Sequence, residues 1–278
     1  MSTFYDGHVH TPYCPHGTAD PISLYIERAI ESGLSGMTFT EHAPLPSGFI
    51  DPVPEKDSGM ELSRLSSYLD ELGAAKQYYS KTISINIGLE VDFIDGFEKE
   101  TKDFLNEVGP RLDDAILSVH FIKQESSYFC IDYSEDMFGE MVRSFGSTDK
   151  VYSAYYKTLS KSITSDLGNY KPKRIGHMTL AQKFKKQYPT DQSYQEEIRT
   201  ILELIKLHGY ELDYNGAGLF KPLCGESYPP HWVIEEAIKQ KIPFVYGSDA
   251  HSAKGLGQGY DILIHQDLLS VPFSLQRK

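Results

Sequence analysis

Thr3-Phe4-Tyr5-Asp6-Gly7-His8-Val9-His10 opens the chain with a β-favouring run that ends in two histidines one residue apart. Residues two apart in extended backbone point to the same side, so His8 and His10 can present both imidazoles to one cation. The same order, a short apolar run followed by residues with coordination chemistry, recurs along the chain. Thr40-Glu41-His42, Gly88-Leu89-Glu90-Val91-Asp92, Ser118-Val119-His120-Phe121, Ile175-Gly176-His177-Met178 and Gly247-Ser248-Asp249-Ala250-His251 each follow such a run.

Seven strands are expected: Thr3 to His8, Gly36 to Thr40, Ile83 to Leu89, Ala115 to Val119, Lys173 to Gly176, Glu211 to Tyr214 and Pro243 to Tyr246. Helical patterns lie between them over Pro21 to Ser32, Glu61 to Tyr79, Gly96 to Val108, Asp149 to Asp166, Gln192 to His208 and His231 to Lys239. In the first, Ile22, Tyr25, Ile26, Ala29 and Ile30 fall at helical spacing and form one apolar stripe for a sheet. Strands alternating with helices are the signature of βα units around a parallel sheet. The carboxyl ends of a closed parallel barrel converge on one face, so residues far apart in sequence would share one pocket there.

Two stretches interrupt the alternation: Pro44 to Gly59, and Phe121 to Ser147 with a hairpin expected around Gln124 to Ile131. Long connections in compact domains often cover or bind ligands, and both are read as substrate-covering elements. Neither resembles an interdomain linker, and the chain is expected to form one domain over residues 1–278.

Seven of the ten histidines, His8, His10, His16, His42, His120, His177 and His251, stand at or just beyond expected strand ends. Taken singly, a histidine after an apolar run is more often a satisfied core residue than a ligand. The ordered set argues for a metal site, whereas His208, His231 and His265 lie on or beside helical patterns and keep the bland reading. Nitrogen and carboxylate donors suit Zn, Mn or Fe. So many donors exceed the needs of one ion, two or three ions are implied, and Glu90 is the candidate bridge.

Composition narrows the remaining choices. Apolar residues make up 40% and charged residues 24%, as in ordinary globular proteins. Cys14, Cys130 and Cys224 include no CxxC pair, so buried thiols are expected and neither a disulfide framework nor a zinc ribbon is indicated. With 27 basic and 39 acidic residues the net charge is −12, which disfavours a nucleic-acid surface because phosphate tracking needs clustered positive charge. No signal-peptide pattern and no run of about eighteen apolar residues stands in the sequence. A cytoplasmic protein without membrane contact is expected, and its oligomeric state is left open.

With HVH and a downstream PHG, TEH, GLEVDF, SVHF, GHMTL and SDAH in this order, the chain resembles the PHP (polymerase and histidinol phosphatase) superfamily, most closely its monofunctional histidinol-phosphate phosphatases. The resemblance extends from Asp6 to about Tyr260 and implies a distorted (β/α)7 barrel with a trinuclear centre. Carried over by position, it places His8, His10, Glu90 and Asp249 on one metal, with Glu90 bridging to a second held by His120 and His177. His16, His42 and His251 would hold the third.

The resemblance also implies hydrolysis of L-histidinol phosphate, a small phosphomonoester, to L-histidinol and phosphate. Asp249 or His251 would deliver the proton to the leaving alkoxide. Arg174, three residues before His177, and Lys221 are the expected phosphate contacts, although Phe220 stands where a second basic group is sought. Glu41, Asn215 or the 121–131 hairpin would recognise the imidazole and ammonium ends of histidinol. The alternatives are another PHP activity, such as a tyrosine phosphatase or nuclease, and a non-catalytic metal-binding module.

Overall fold

The computed structural model describes residues 4–276, so Thr3 and both ends of the expected 1–278 domain lie outside the described residues. Seven parallel strands form one sheet: β1 Tyr5–Val9, β2 Gly36–His42, β3 Ser84–Asp92, β4 Asp114–Ser118, β7 Arg174–Ile175, β8 Glu211–Asn215 and β9 Phe244–Gly247, in that spatial order. β5 Phe121–Gln124 and β6 Ser127–Cys130 pair separately as an antiparallel hairpin, beginning three residues before the expected one.

The sheet curls into a barrel that closes just beyond β9. There the Asp249 N–H donates to His8 O at 2.8 Å and the His10 N–H donates to Ala250 O at 3.0 Å. These two bonds join the first and last catalytic-looking motifs directly through backbone. The fold is an α/β barrel with seven parallel strands and helices on its outside.

The helices are α1 Ile22–Glu31, α2 Leu65–Tyr78, α3 Glu98–Val108, α4 Glu135–Phe145, α5 Thr148–Thr164, α6 Gln195–Leu207, α7 His231–Gln240 and the short α8 Phe273–Gln276. On α1, Ile22, Tyr25, Ile26 and Ala29 are buried as the stripe requires, whereas Ile30 is 36% exposed and falls outside it. Helix α4 corrects the expectation of loop after the hairpin. Ser134 caps it by accepting the Met137 N–H, Glu135 and Asp136 occupy its first turn, and Gly146 ends it at φ 90. Each of these is an ordinary helix-boundary signal.

The two interrupting stretches pack on each other above the barrel rim. Val53 from the first joins Ile94, Phe121 and Cys130 in a small apolar cluster, with Leu45, Phe49, Phe97, Tyr128 and Met137 against it. This satellite core fixes one wall of the cleft described below.

Arg174 fills the barrel interior at its amino-terminal end. A Cβ on Gly7 would collide with Arg174 Nη1 and with Val245, so glycine in Asp6-Gly7-His8 is required by packing. Gly247 is required in the same way at the other end, where a Cβ would meet Asp213 Oδ1 and stand 2.6 Å from the His8 Cβ.

Candidate metal centre

Glu90 stands at the middle of the site, 1% exposed, near the end of β3. Parallel register places it directly beside His42 of β2. Its two carboxylate oxygens face different histidines. Oε2 lies 3.4 Å from His8 Nε2, 3.6 Å from His10 Nε2 and 3.1 Å from His42 Nδ1. Oε1 lies 2.9 Å from His177 Nε2 and 3.7 Å from His120 Nε2, and it accepts the Ser118 hydroxyl at 2.6 Å.

Strand periodicity aims His8 and His10 inward while Val9 between them joins the apolar core. Asp249, held at φ 54, turns the chain after β9 so that Oδ1 comes 3.2 Å from His10 Nε2 and 3.7 Å from His8 Nε2. A non-glycine residue in the left-handed region is uncommon, and aspartate tolerates it better than most.

Carboxylates behind the histidines set ring orientation. His8 Nδ1 faces Asp213 Oδ2 at 2.9 Å, His10 Nδ1 faces Glu41 Oε1 at 3.1 Å, and His120 Nδ1 faces Asp92 Oδ1 at 2.8 Å. In each case the remaining Nε2 is directed at Glu90 or Asp249. Outer carboxylates of this kind fix the tautomer of a ligating histidine and raise its basicity.

Among the described residues, three groups have ligand atoms close enough to share an ion, those of each group all within 4.8 Å of one another: His8, His10 and Asp249; Glu90, His120 and His177; and His10, Cys14, His42 and His251. His16 is exposed, bonds Asp57 O through Nδ1 at 2.9 Å, and its ring centroid lies 5.1 Å from those of both His42, tilted, and His251, stacked. All nine residues expected as ligands therefore meet around one floor. The buried Cys14 sulfur joins the third group, an addition that its lone position in the sequence did not signal.

Electrostatics test whether cations fit here. Burial pushes Glu90 up, yet His8, His120 and His42 together hold its carboxyl well below the usual range. Burial likewise opposes protonation of His10 and His120, but Asp249 and Glu41 raise the first to about 9, and Asp92 and Glu90 raise the second to about 10. Burial and the charge of His10 lower His42 and His251, which favours the neutral, ligating form. The cluster thus draws positive charge strongly, and a divalent cation satisfies that demand without a proton. His8 Nε2, His42 Nδ1 and Glu90 Oε2 are buried without hydrogen-bond partners, so donors for an ion are available. The residues fit bound metal.

Above this floor opens a cleft of about 510 Å³, lined among others by His16, His120, Asp132, Tyr133, Lys183, Lys221, Tyr228, Asp249 and His251. Of the residues expected to contact substrate, Lys221 lines it. Arg174 does not. Its side chain is fully buried in an ion pair with Asp114, and it borders a different cavity at the amino-terminal end of the barrel with Tyr170, Glu211 and Phe273. Glu41 and Asn215 are also fully buried and committed to other partners. Glu41 accepts from Thr11 and the His42 N–H besides facing His10, while Asn215 Nδ2 donates to Asp213 Oδ2 at 3.2 Å and Asp249 Oδ2 at 3.1 Å. Both contact residues of the cluster, and neither lines the cleft. Asp92, Asp132, Lys183 and Asp213 were not singled out in the sequence. Asp92 closes the Gly88 to Asp92 run and Asp213 lies within the expected strand Glu211 to Tyr214, and only the fold shows what they face.

A parallel α/β barrel with imidazoles and carboxylates converging at the carboxyl ends of its strands defines a metal-dependent barrel hydrolase. The chain belongs to the PHP domain family, whose pattern matches residues 6–217. It is 47% identical over 265 residues to the histidinol-phosphatase of Bacillus subtilis (strain 168), covering 94% of this chain and 98% of that protein. A crystal structure from Listeria monocytogenes superposes with a TM-score of 0.90 at 41% identity, covering 93% of this chain and 99% of that one. The fold is shared with histidinol phosphate phosphatase from Lactococcus lactis subsp. lactis, solved with Zn, L-histidinol and phosphate, at a TM-score of 0.70 and 20% identity over 96% and 95% of the two chains.

Proposed function

We propose that this protein hydrolyses L-histidinol phosphate to L-histidinol and inorganic phosphate, as a cytoplasmic step of histidine biosynthesis carried out by one domain over 1–278. The observation that carries the chemistry is Glu90, whose two oxygens face His8, His10 and His42 on one side and His120 and His177 on the other. The substrate follows from 47% identity along almost the whole chain to a histidinol-phosphatase, which favours this ester over the phosphotyrosine or nucleic-acid substrates of other readings.

Two to three divalent ions, Zn, Mn or Fe, would be held by His8, His10 and Asp249, by Glu90, His120 and His177, and by His42 and His251 with His16. Bound there, they supply Lewis-acid charge to the phosphoryl oxygens and lower the pKa of water. The protein's own groups do the rest. Glu41, Asp92 and Asp213 orient the imidazoles, and Asn215 holds the Asp249 carboxylate toward His10. Asp249 and His251 line the cleft, and one or the other would deliver the proton to the departing alkoxide. Lys221 supplies an ammonium at the cleft for the phosphate. The partner is a small molecule, and among the described residues no helix is long and apolar enough to cross a membrane.

The test is phosphate release from L-histidinol phosphate by protein loaded with Mn, Zn or Fe, beside an EDTA-stripped control and p-nitrophenyl phosphate. Fast metal-dependent turnover with preference for histidinol phosphate is expected. Turnover of the generic ester alone would remove the substrate assignment, and no turnover with any metal would leave a binding module.

A further inference from the structure

The cleft wall carries a charge pair that the hydrolytic chemistry does not use. Asp132 follows β6 and the clamp in which the Ile131 N–H donates to His120 O at 2.8 Å, so its carboxylate is anchored beside the His120 and His177 side of the floor. Lys183, from the turn after His177, donates to Asp132 Oδ2 at 3.1 Å and to the Asp132 carbonyl oxygen. Both side chains are partly exposed, 24% for Asp132 and 18% for Lys183, and both line the cleft.

A carboxylate and an ammonium therefore stand side by side at the edge of the phosphate-binding floor. Burial pushes the Asp132 carboxyl up, but Lys183 and His120 more than offset it and keep it ionised. An ionised carboxylate has about four acceptor positions. Lys183 takes one, and the Cys130 thiol approaches the other oxygen at 3.4 Å, which leaves capacity for a further cation.

We propose that Asp132 is the specificity residue for the substrate's ammonium group, and that with Lys183 it selects phosphomonoesters of 2-amino alcohols over esters without the amine. The inference rests on the hydrolytic reading above. In such an ester the ammonium and the ester oxygen sit on adjacent carbons, so the molecule is a short dipole with phosphate at one end. Phosphate over the metal-binding floor brings the ammonium to the adjoining wall. Asp132 then exchanges part of its contact with Lys183 for the substrate ammonium, and Lys183 is free to turn toward the phosphate oxygens. The carboxylates within the ligand cluster are committed to histidines; Asp57 also lines the cleft, beside His16, whereas Asp132 stands on a fixed anchor at the His120 and His177 side.

The experiment compares kcat/KM for L-histidinol phosphate and its des-amino analogue, 3-(imidazol-4-yl)propyl phosphate, in the wild type and in Asp132→Asn, with bound metal counted in each. Wild type should favour the amino ester, and Asp132→Asn should shrink that ratio about 10- to 100-fold, as expected for loss of one charge-assisted contact, at unchanged metal content. An unchanged ratio in the variant, a wild-type ratio near one, or loss of metal in the variant would each overturn the proposal. If Asp132→Asn does not fold, the double variant Asp132→Asn/Lys183→Met, which leaves no unpaired lysine, carries the same ratio test. A wild type that ignores histidinol phosphate but prefers O-phosphoethanolamine to ethyl phosphate, with that preference lost in Asp132→Asn, would refute the substrate reading while upholding Asp132.

Discussion

The guanidinium of Arg174 meets the carboxylate of Asp114 inside the barrel, at the end of the strands opposite the metal floor. Three residues of extended chain, about 10 Å, separate it from the level of His177. Both side chains are essentially buried, and Asp114 Oδ1 also accepts the Ser274 hydroxyl at 2.8 Å. Arg174→Ala should therefore cost stability, about 3–5 kcal/mol, because Asp114 is left buried and uncompensated. KM for the phosphoester should not change in the folded fraction. Denaturant unfolding and steady-state kinetics on one preparation check both parts, and a raised KM at unaltered stability would return Arg174 to the substrate.

Glu90→Gln keeps the side-chain shape but removes the anion that two groups of histidines share. Metal content per chain should drop, and kcat should fall ~10³-fold with the loss of Lewis-acid charge worth several kcal/mol. Elemental analysis of the purified variant, beside phosphate release, decides the matter. Full metal occupancy together with full turnover is the result that excludes a bridging role.

Glu41 acts at one remove. Burial raises its carboxyl, but the His10 contact reverses this and keeps it ionised, and its second oxygen accepts from the Thr11 N–H at 2.8 Å. Glu41→Gln should weaken metal affinity about 10- to 100-fold, the usual effect of losing a carboxylate behind a ligating histidine. Titration against a chelating dye measures this directly. Unaltered affinity would limit Glu41 to holding the β2 terminus in place.

Much of this arrangement was legible because the same residues carry both signals. Six of the seven apolar runs that build the barrel strands end in a donor, the run of β8 being the exception, so one pattern indicates the sheet and its functional face. What escaped depends on contacts that no local pattern encodes. Arg174 reads as a site residue by its distance from His177, yet its side chain points into the amino-terminal layer of the barrel, where Gly7 makes room for it. Glu41 and Asn215 look free in sequence and are consumed by His10 and Asp249, 31 and 34 residues away respectively. Helix α4 was a different kind of miss. Its signals, Ser134, Glu135, Asp136 and Gly146, are local, but a segment already read as a covering loop hid them.

Glu211, beside Arg174 at the amino-terminal end, gives the fold a pH dependence separate from metal binding. It is 2% exposed and accepts the Phe273 N–H at 3.1 and 3.3 Å, which ties α8 to the barrel floor. Burial raises its pKa from 4.5 to about 8, against the lowering influence of Arg174. The folded protein therefore keeps the proton up to about pH 8, while the unfolded chain releases it above about 4.5. Between these values the folded state binds more protons, so stability falls as pH rises through the window and levels off above it. Glutamine keeps the acceptor for Phe273 but cannot ionise. At fixed excess metal, the difference in Tm between Glu211→Gln and wild type should thus grow in favour of the variant from pH 5 to pH 9. A difference that stays constant across this range would mean that Glu211 is ionised in the folded protein, with Arg174 compensating it as well as Asp114.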